Sequence, residues 1–167
     1  FRPEAKEPFD LALSRITDIV NGVSRGKAEC FYSSSAVSDA LIYDTCDKAE
    51  QSGVLSMDSE TTSFHIFKGH IIGLCLSHEP FQGTYTHADV ISDGALDRIQ
   101  QVLDNPKVDI VGHNMKFDLK FFKHHFGLNF DKAFNEHRIH DTMLMHYLLD
   151  ERKGHGLKQL ANKFTDM

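Results

Sequence analysis

The sequence predicts an α/β domain with a mixed central sheet flanked by helices, and three observations support this. Apolar strand patterns come first along the chain, and an alternation of helix, strand and helix follows them. Hydrophobic residues make up 41% of the 167 residues, which is enough to bury one core. No stretch approaches the roughly 20 apolar residues that a membrane-spanning helix needs.

The first 27 residues are predicted to be separate from the main domain. Apolar residues recur at helical spacing over residues 9–20, and Asn21-Gly22 ends that pattern. A polar link follows as far as Glu29. We therefore expect residues 1–27 to be an N-terminal extension or linker with a short helix, and residues 28–167 to form the main domain.

The elements of the main domain are predicted from their periodicity and from the residues that begin or end them. The predicted strands are residues 30–32, 54–61, 70–77, 83–87 and 108–113, with a short one before Asp141. The predicted helices are residues 36–51, 92–103, 115–125 and 142–149. Their expected N-terminal caps are Ser35, Asn114 and Asp141, and Ser92-Asp93 begins the helix over residues 92–103.

Two carboxylates lie at the end of the strand predicted over residues 54–61. Side chains at i and i+2 of a strand point to the same side, so Asp58 and Glu60 project together. Like charges on one side repel unless a cation neutralises them, and hard oxygen ligands suit Mg²⁺ or Mn²⁺ better than Zn²⁺. The pair indicates a divalent metal site; for an isolated Asp-x-Glu, a solvated strand end is the alternative.

A third carboxylate follows the strand predicted over residues 108–113. Asn114 is placed to cap the next helix, and Asp118 then lies near its first turn, beside the C-terminal edge of a strand. Ligand sites of open α/β sheets form at such edges. Asp118 is thus a candidate ligand, and a carboxylate that only complements the helix dipole is the alternative.

The charge of the chain limits how it can bind nucleic acid. A formal net charge of −6 argues against a broad electrostatic grip on duplex DNA. A site that handles a few nucleotides at a strand end remains compatible with that charge. Lys116, Lys120 and Lys123 fall on one side of the predicted helix, where they form either a solvated face or contacts to a backbone.

These motifs carry a family resemblance. The segments 58–61 and 114–118 resemble the first and second motifs of the proofreading 3′→5′ exonuclease domain of DNA polymerase I-type (family A) polymerases. Residues 126–128, 140–144 and 155–161 follow that family in order and spacing. The likeness is greatest to the replicative polymerases of tailed bacteriophages. It implies a ribonuclease H-like (DnaQ-like exonuclease) fold.

The resemblance also implies a mechanism and the roles of three residues. The activity would be two-metal hydrolysis of the terminal phosphodiester of single-stranded DNA during replication, with two divalent cations, Mg²⁺ or Mn²⁺, as cofactors. Asp58 would bridge both cations, Glu60 would bind the cation that activates water, and Asp118 would hold the other.

Four further residues are implied to contact the DNA. Thr61 and Asn114 match positions that touch the terminal nucleotide. Phe64 falls where the family usually has an apolar wedge between the last two bases, and a core aromatic is the alternative. Phe117 occupies the aromatic position before Asp118, where packing alone also explains it.

The resemblance includes a third motif, Tyr-x-x-x-Asp, that is expected well after residues 155–161. We therefore expect the sequence to be an incomplete exonuclease domain, with its C-terminal helices beyond Met167 and with the polymerase domain of the same parent chain as its partner. The alternatives are a catalytically silent DNA-end-binding or structural module, and an RNA 3′-exonuclease of the same fold.

The cysteines and the N-terminus predict a cytoplasmic location. Three cysteines in a widely spaced, odd set favour reduced thiols over a disulfide framework. The charged N-terminal segment lacks a signal-peptide core. We expect a soluble protein, in the cytoplasm of a bacterial host if the likeness to phage polymerases holds.

Overall fold

A computed structural model describes residues 29–33 and 38–164 of the chain. The helix predicted over residues 9–20 and the predicted cap Ser35 lie outside these described residues. Among the described helices, none has both the length and the apolar character that crossing a membrane requires.

After a first strand and helix, three consecutive strands precede a mixed succession of helices and strands along the described chain. The strands are β1 (Glu29–Ser33), β2 (Val54–Thr61), β3 (Ile71–Ser77), β4 (Gln82–His87), β5 (Asp109–Gly112) and β6 (Ile139–Asp141). The helices are α1 (Ser38–Ser52), α2 (Asp93–Asp104), α3 (Met115–Phe121), α4 (Asp131–Asn135), α5 (Thr142–Leu149) and α6 (Leu157–Phe164). Within the described residues, the predicted strands and long helices are present, whereas α4 and α6 were not predicted.

The six described strands form one mixed sheet in the order β1-β4-β3-β2-β5-β6. Strand β2 is antiparallel to β3 and parallel to β5, and β6 is parallel to β5. The predicted α/β class with a mixed sheet is confirmed, and β2 is an inner strand. Because β2, β5 and β6 run in the same direction, their C-terminal ends meet at one edge of the sheet.

The core lies between the sheet and the helices α1 and α2. Buried apolar side chains of α1, α2, β2 and β5 contribute to it together with residues of β3 and α3, and several are fully enclosed. They include Ile42, Cys46, Leu55, Met57, Ile99, Leu103 and Ile110. Each such large side chain contributes roughly 1.5–3 kcal/mol relative to an exposed one, so this side of β2 holds the strand in place.

The helix predicted over residues 115–125 differs from the structure in its second half. Helix α3 ends at Phe121, and residues 122–126 form a wider π-helical turn that closes at Gly127 with φ +69°. The Gly127 N–H bonds the carbonyl of Phe122, five residues back. The apolar periodicity of a sequence does not separate an i+4 turn from an i+5 turn, so this feature was not predictable. Such turns are frequent at functional sites.

Candidate active site

The two carboxylates of β2 share one side of that strand. Leu55, Met57 and Ser59 are buried, whereas Asp58 and Glu60 between and beyond them are exposed. The structure therefore places both acids on the side of β2 opposite Leu55 and Met57. The pairing of β2 with β3 also shifts between Glu60 and Thr61, and bulges of this kind re-aim side chains at the end of a ladder.

Asp118 of α3 joins the second acidic segment, residues 114–118, to the first, residues 58–61. Its Oδ1 accepts hydrogen bonds from the Ser59 backbone N–H at 3.0 Å and from the Ser59 hydroxyl at 2.5 Å. The pairing of β2 with β5 ends at Ser56 of β2 and Val111 of β5, so Ser59 lies three residues beyond the last pair of this ladder. Asp118, only 3% exposed, supplies the acceptor that the neighbouring strand does not.

Sequence reasoning did not identify Ser59 as a residue of this site. It lies between the two acids of β2, but its partner is 59 positions away along the chain. No periodic signal links residues at that distance. Only the closing of the sheet brings them together.

The proton affinities of Asp58 and Asp118 are raised at this edge of the sheet. Burial, followed by the negative charges of Asp118 and Glu60, raises the pKa of Asp58 to about 6, although Asp58 still has an exposed surface. Burial also raises the pKa of Asp118, while its hydrogen bonds from Ser59 act in the opposite direction. Without a cation, this edge of the sheet is repulsive at neutral pH.

The carboxylates suit a hard, hydrated cation better than a closed metal cage. Within residues 29–33 and 38–164, no three His, Cys, Asp or Glu side chains already converge to hold a metal ion. One oxygen of Asp118 is engaged by Ser59, which leaves Oδ2 of Asp118 and the carboxylates of Asp58 and Glu60. Mg²⁺ keeps several waters and needs only one or two protein carboxylates, so this donor set fits it.

The prediction that the Asn114 side chain caps its helix is wrong. Asn114 holds the cap position of α3 with φ +60°, but its side chain makes no capping hydrogen bond. The carboxylate of Asp141 accepts instead from the N–H groups of Asn114 at 2.9 Å and Met115 at 2.8 Å. Strand β6 brings Asp141 to the N-terminus of α3. A carboxylate there makes stronger hydrogen bonds to the backbone N–H groups than a neutral side chain does.

Asp141 also caps α5, as predicted from the sequence. Its side chain accepts from the N–H of Met143 at 2.9 Å. One carboxylate thus holds the beginnings of α3 and α5 together, and it leaves the exposed Asn114 side chain free to face the cleft beside the acids.

Phe64 is not a core residue. It lies in the loop after β2 with 94% of its surface exposed, and its ring meets Phe117 edge-on at a centroid distance of 6.1 Å. Phe117 in turn packs against Phe121 at 4.8 Å. The core alternative for Phe64 is therefore wrong, whereas Phe117 is half-buried and serves packing on one side and the cleft on the other.

A cleft of about 290 Å³ lies between this loop and α3. Aromatic, amide and cationic side chains line it: Phe64, His65, Ile66, Asn114, Lys116, Phe117, Lys120 and Phe121. Thr61 lies at the end of β2 outside that lining, and its hydroxyl donates to the Ser63 carbonyl at 3.2 Å. The cleft is a concave, partly apolar site lined in part by α3, the helix that carries Asp118, and it is suited to a ligand with both an aromatic ring and a negative charge.

The chain is similar to DNA polymerases in sequence. A family model described as 3′-5′ exonuclease matches residues 36–167. The DNA polymerase of Escherichia phage T5 is 43% identical over 169 residues, which cover 100% of this chain and 20% of that protein. DNA polymerase I of Borreliella burgdorferi is 27% identical over 128 residues, or 72% of this chain and 13% of that protein. The chain thus spans a fifth or less of the length of these relatives.

The fold is similar to that of solved nucleases. Escherichia coli RNase D, an exoribonuclease involved in structured RNA processing, superposes with a TM-score of 0.63 at 13% identity, over 85% of this chain and 34% of that one. Brucella melitensis NrnC with bound Mg²⁺ gives a TM-score of 0.57 at 13% identity, over 85% and 63% of the two chains. The predicted ribonuclease H-like fold is confirmed.

The family match covers β2 with its two acids, α3 with Asp118, and the cleft between them. This chain belongs to the 3′-5′ exonuclease domain family of family A DNA polymerases.

Proposed function

We propose that the chain is the proofreading 3′→5′ exonuclease domain of a longer family A DNA polymerase and hydrolyses the terminal phosphodiester of single-stranded DNA. The observation that carries this is the hydrogen-bonded link between Asp118 and Ser59, which brings both acidic segments to one sheet edge. Two much longer relatives, both DNA polymerases, support a polymerase domain as its partner in the same chain. The phage relative also supports the cytoplasm of a bacterial host as its location.

Asp58, Glu60 and Asp118 would hold the divalent cations. When bound, two Mg²⁺ or Mn²⁺ ions would polarise the scissile phosphate and lower the pKa of the attacking water. The Mg²⁺-bound NrnC structure, which shares the fold, supports this choice of metal. Ser59 fixes Asp118 through two hydrogen bonds, so that this ligand is positioned before any metal arrives.

The cleft would receive the last nucleotides of the strand. Phe64 projects from its loop with no core contact to maintain, so its ring is available to insert between the terminal bases. Asn114 and Phe117 line the same cleft, and Thr61 lies at the beginning of the loop that carries Phe64. Exposed Lys116 and Lys120 offer charges to the phosphates.

The test is hydrolysis of a 3′-end-labelled single-stranded oligonucleotide by the natural full-length protein with Mg²⁺ or Mn²⁺. Asp58→Ala and Glu60→Ala should each abolish release of the terminal nucleotide and weaken Mn²⁺ binding in calorimetry. Glu151→Ala, which removes an exposed acid far along the chain, is the matched control. Retained metal-dependent hydrolysis in both site variants would overturn the assignment.

The same assay separates the alternative functions. Labelled RNA of the same sequence should be hydrolysed more slowly than DNA, because the relative at 43% identity is a DNA polymerase. A faster rate on RNA would identify an RNA 3′-exonuclease. Binding of the oligonucleotide without any hydrolysis would identify a silent end-binding module.

A further inference from the structure

A second exposed aromatic ring lies beyond the proposed site of the terminal nucleotide. Phe67 is 80% exposed and lies three residues after Phe64 in the same loop, residues 62–70 between β2 and β3. Neither ring contributes much to the core. Two large apolar side chains exposed to water this close together lower solubility, and a role in binding would explain their exposure.

The loop that carries both rings is closed by its own hydrogen bonds. The Thr62 N–H donates to the His70 carbonyl at 3.0 Å, and the His70 N–H donates to the Thr62 hydroxyl at 2.9 Å. Within it, the Gly69 N–H donates to the His65 carbonyl at 2.7 Å. Gly69 is buried, and a Cβ there would lie 2.9 Å from the Ser63 carbonyl oxygen. The loop therefore presents its rings from a constrained backbone.

Ring contacts fix the loop against the π-helical turn. Phe67 meets His124 edge-on, with centroids 5.4 Å apart and planes at 84°. His70 meets His125 at 5.9 Å, and His125 stacks on Phe121 at 5.5 Å. The loop thus forms two successive aromatic pairs, Phe64 with Phe117 of α3 and Phe67 with His124 of the turn.

The surface around these pairs is basic although the chain is acidic overall. Lys68, Lys116 and Lys120 are exposed, and among the described residues none of them forms an ion pair. Lys123 has only a loose partner, with its Nζ 3.9 Å from Asp131 Oδ1. Unpaired cations beside exposed rings are the combination that binds a single-stranded polyanion with bases.

We propose that Phe67 and His124 form a second base-stacking site, which takes a nucleotide upstream of the two at the 3′ end. This rests on the proposed function, in which Phe64 separates the last two bases. The Cα atoms of Phe64 and Phe67 can be no more than roughly 10–11 Å apart, because three residues span at most that distance. A single strand that leaves the first aromatic pair can therefore reach the second within one or two nucleotides.

The test compares two substrate lengths in the natural full-length protein with Mg²⁺. The substrates are a thymidine dinucleotide, which ends before the second aromatic pair, and a thymidine hexanucleotide, which reaches it. Phe67→Ala should lower kcat/KM for the hexanucleotide by about 5- to 150-fold through KM, the range expected for one lost stacking contact. The dinucleotide should be hydrolysed as by the unaltered protein.

Two further variants control for folding and for chemistry. Phe67→Trp keeps an aromatic face and should retain hexanucleotide kcat/KM. Phe134→Ala removes a ring that is 67% exposed on α4 and should leave kcat/KM for both substrates unchanged.

The remaining outcomes distinguish failure of the proposed function from failure of the second stacking site. An unaltered protein that hydrolyses neither length would overturn the proposed function itself. If that protein hydrolyses both, an unchanged Phe67→Ala variant, or one that loses both lengths equally, would overturn the second stacking site alone. A Phe67→Trp variant as impaired as Phe67→Ala would also overturn it.

Discussion

The acidic edge of the sheet and the buried Arg138, which directly precedes β6, differ in whether their charges are compensated. Arg138 is 5% exposed, and its guanidinium donates to the Val108 carbonyl at 2.6 Å, the Leu103 carbonyl at 2.8 Å and Glu136 at 2.8 Å. Asp58 lies among charges of its own sign, and its pKa is raised. The charge of Arg138 is fully compensated by the protein, and the charge of Asp58 is not.

The difference indicates which charges serve the fold and which serve the chemistry. A buried charge with several hydrogen-bond partners stabilises the native state only as a complete set, because loss of any member leaves the rest unpaired. Clustered carboxylates without a counter-charge destabilise the protein until a cation binds. A region whose charges the fold leaves uncompensated is therefore the better candidate for a ligand site.

The largest expected effect is on the acidic edge. Asp118→Asn keeps an oxygen to accept from Ser59, so the fold should persist, but it removes a charge from the proposed metal site. We expect hydrolysis of single-stranded DNA to slow on the order of 10³-fold, since losing a metal ligand costs several kcal/mol in the transition state. The measurement is kcat with a 3′-labelled oligonucleotide, and Asp97→Asn, an exposed acid on α2, is the control. A rate within tenfold of the original would contradict the comparison.

The next effect is on the compensated arginine. Arg138→Met should lower the free energy of unfolding by about 3 kcal/mol, because it leaves the carbonyls of Leu103 and Val108 buried without their donor. Urea denaturation measures this, and kcat of the folded protein should not change. Arg152→Met, at a side chain that is 89% exposed, should cost less than about 0.5 kcal/mol. Equal losses in the two variants would show that the Arg138 contacts do not matter.

A smaller effect concerns stability at the acidic edge without metal. The pKa of Asp58 is raised from 3.8 to about 6, so its ionised form opposes folding above pH 6, and this penalty disappears as the pH falls towards 4. Asp58→Asn should therefore stabilise the metal-free protein at pH 7.5 by on the order of 1 kcal/mol, allowing for solvent screening, and by nothing at pH 4. Urea denaturation in EDTA at both pH values measures it. A loss of stability at pH 7.5 would mean that Asp58 is compensated after all.

The smallest effect has the opposite dependence on pH. Arg98 of α2 bonds Asp47 at 2.8 Å and Glu50 at 2.7 Å on α1, and its hydrogen bond lowers the pKa of Glu50 from 4.5. A lowered carboxyl pKa stabilises the fold above the unfolded value and loses that contribution as the pH falls. Arg98→Met should cost about 0.5 kcal/mol at pH 7, less in high salt, and least at acidic pH. Thermal unfolding over a salt and pH series measures it, and a loss that grows on acidification would be inconsistent with this ion pair.

Residues close in sequence were predicted well. Alternating apolar residues located β2, and the i to i+2 relation placed Asp58 and Glu60 on one side of it. The helix start at Ser92 and the cap Asp141 were found because a side-chain oxygen accepts from N–H groups only two or three residues ahead. Local geometry is sufficient for signals of this range.

Predictions failed where a distant group replaced a local one. Asn114 had the right residue type for a cap, but Asp141, 27 positions away, accepts its backbone N–H instead. For Phe64 the sequence left a core aromatic open as the alternative, and the structure decided against it, because the side chain lies in solvent.

The sequence by itself determined the α/β class, the order of the main strands and helices, and the identity of the three acids, because each depends on spacing within one element. The tertiary structure decided that Ser59 fixes Asp118, that Asp141 joins two helix N-termini, and that Phe67 faces His124. The long-range hydrogen bonds among these contacts, between Asp118 and Ser59 and between Asp141 and Met115, join residues 59 and 26 positions apart. They exist because parallel strands end at one edge of the sheet and bring the segments that follow them together.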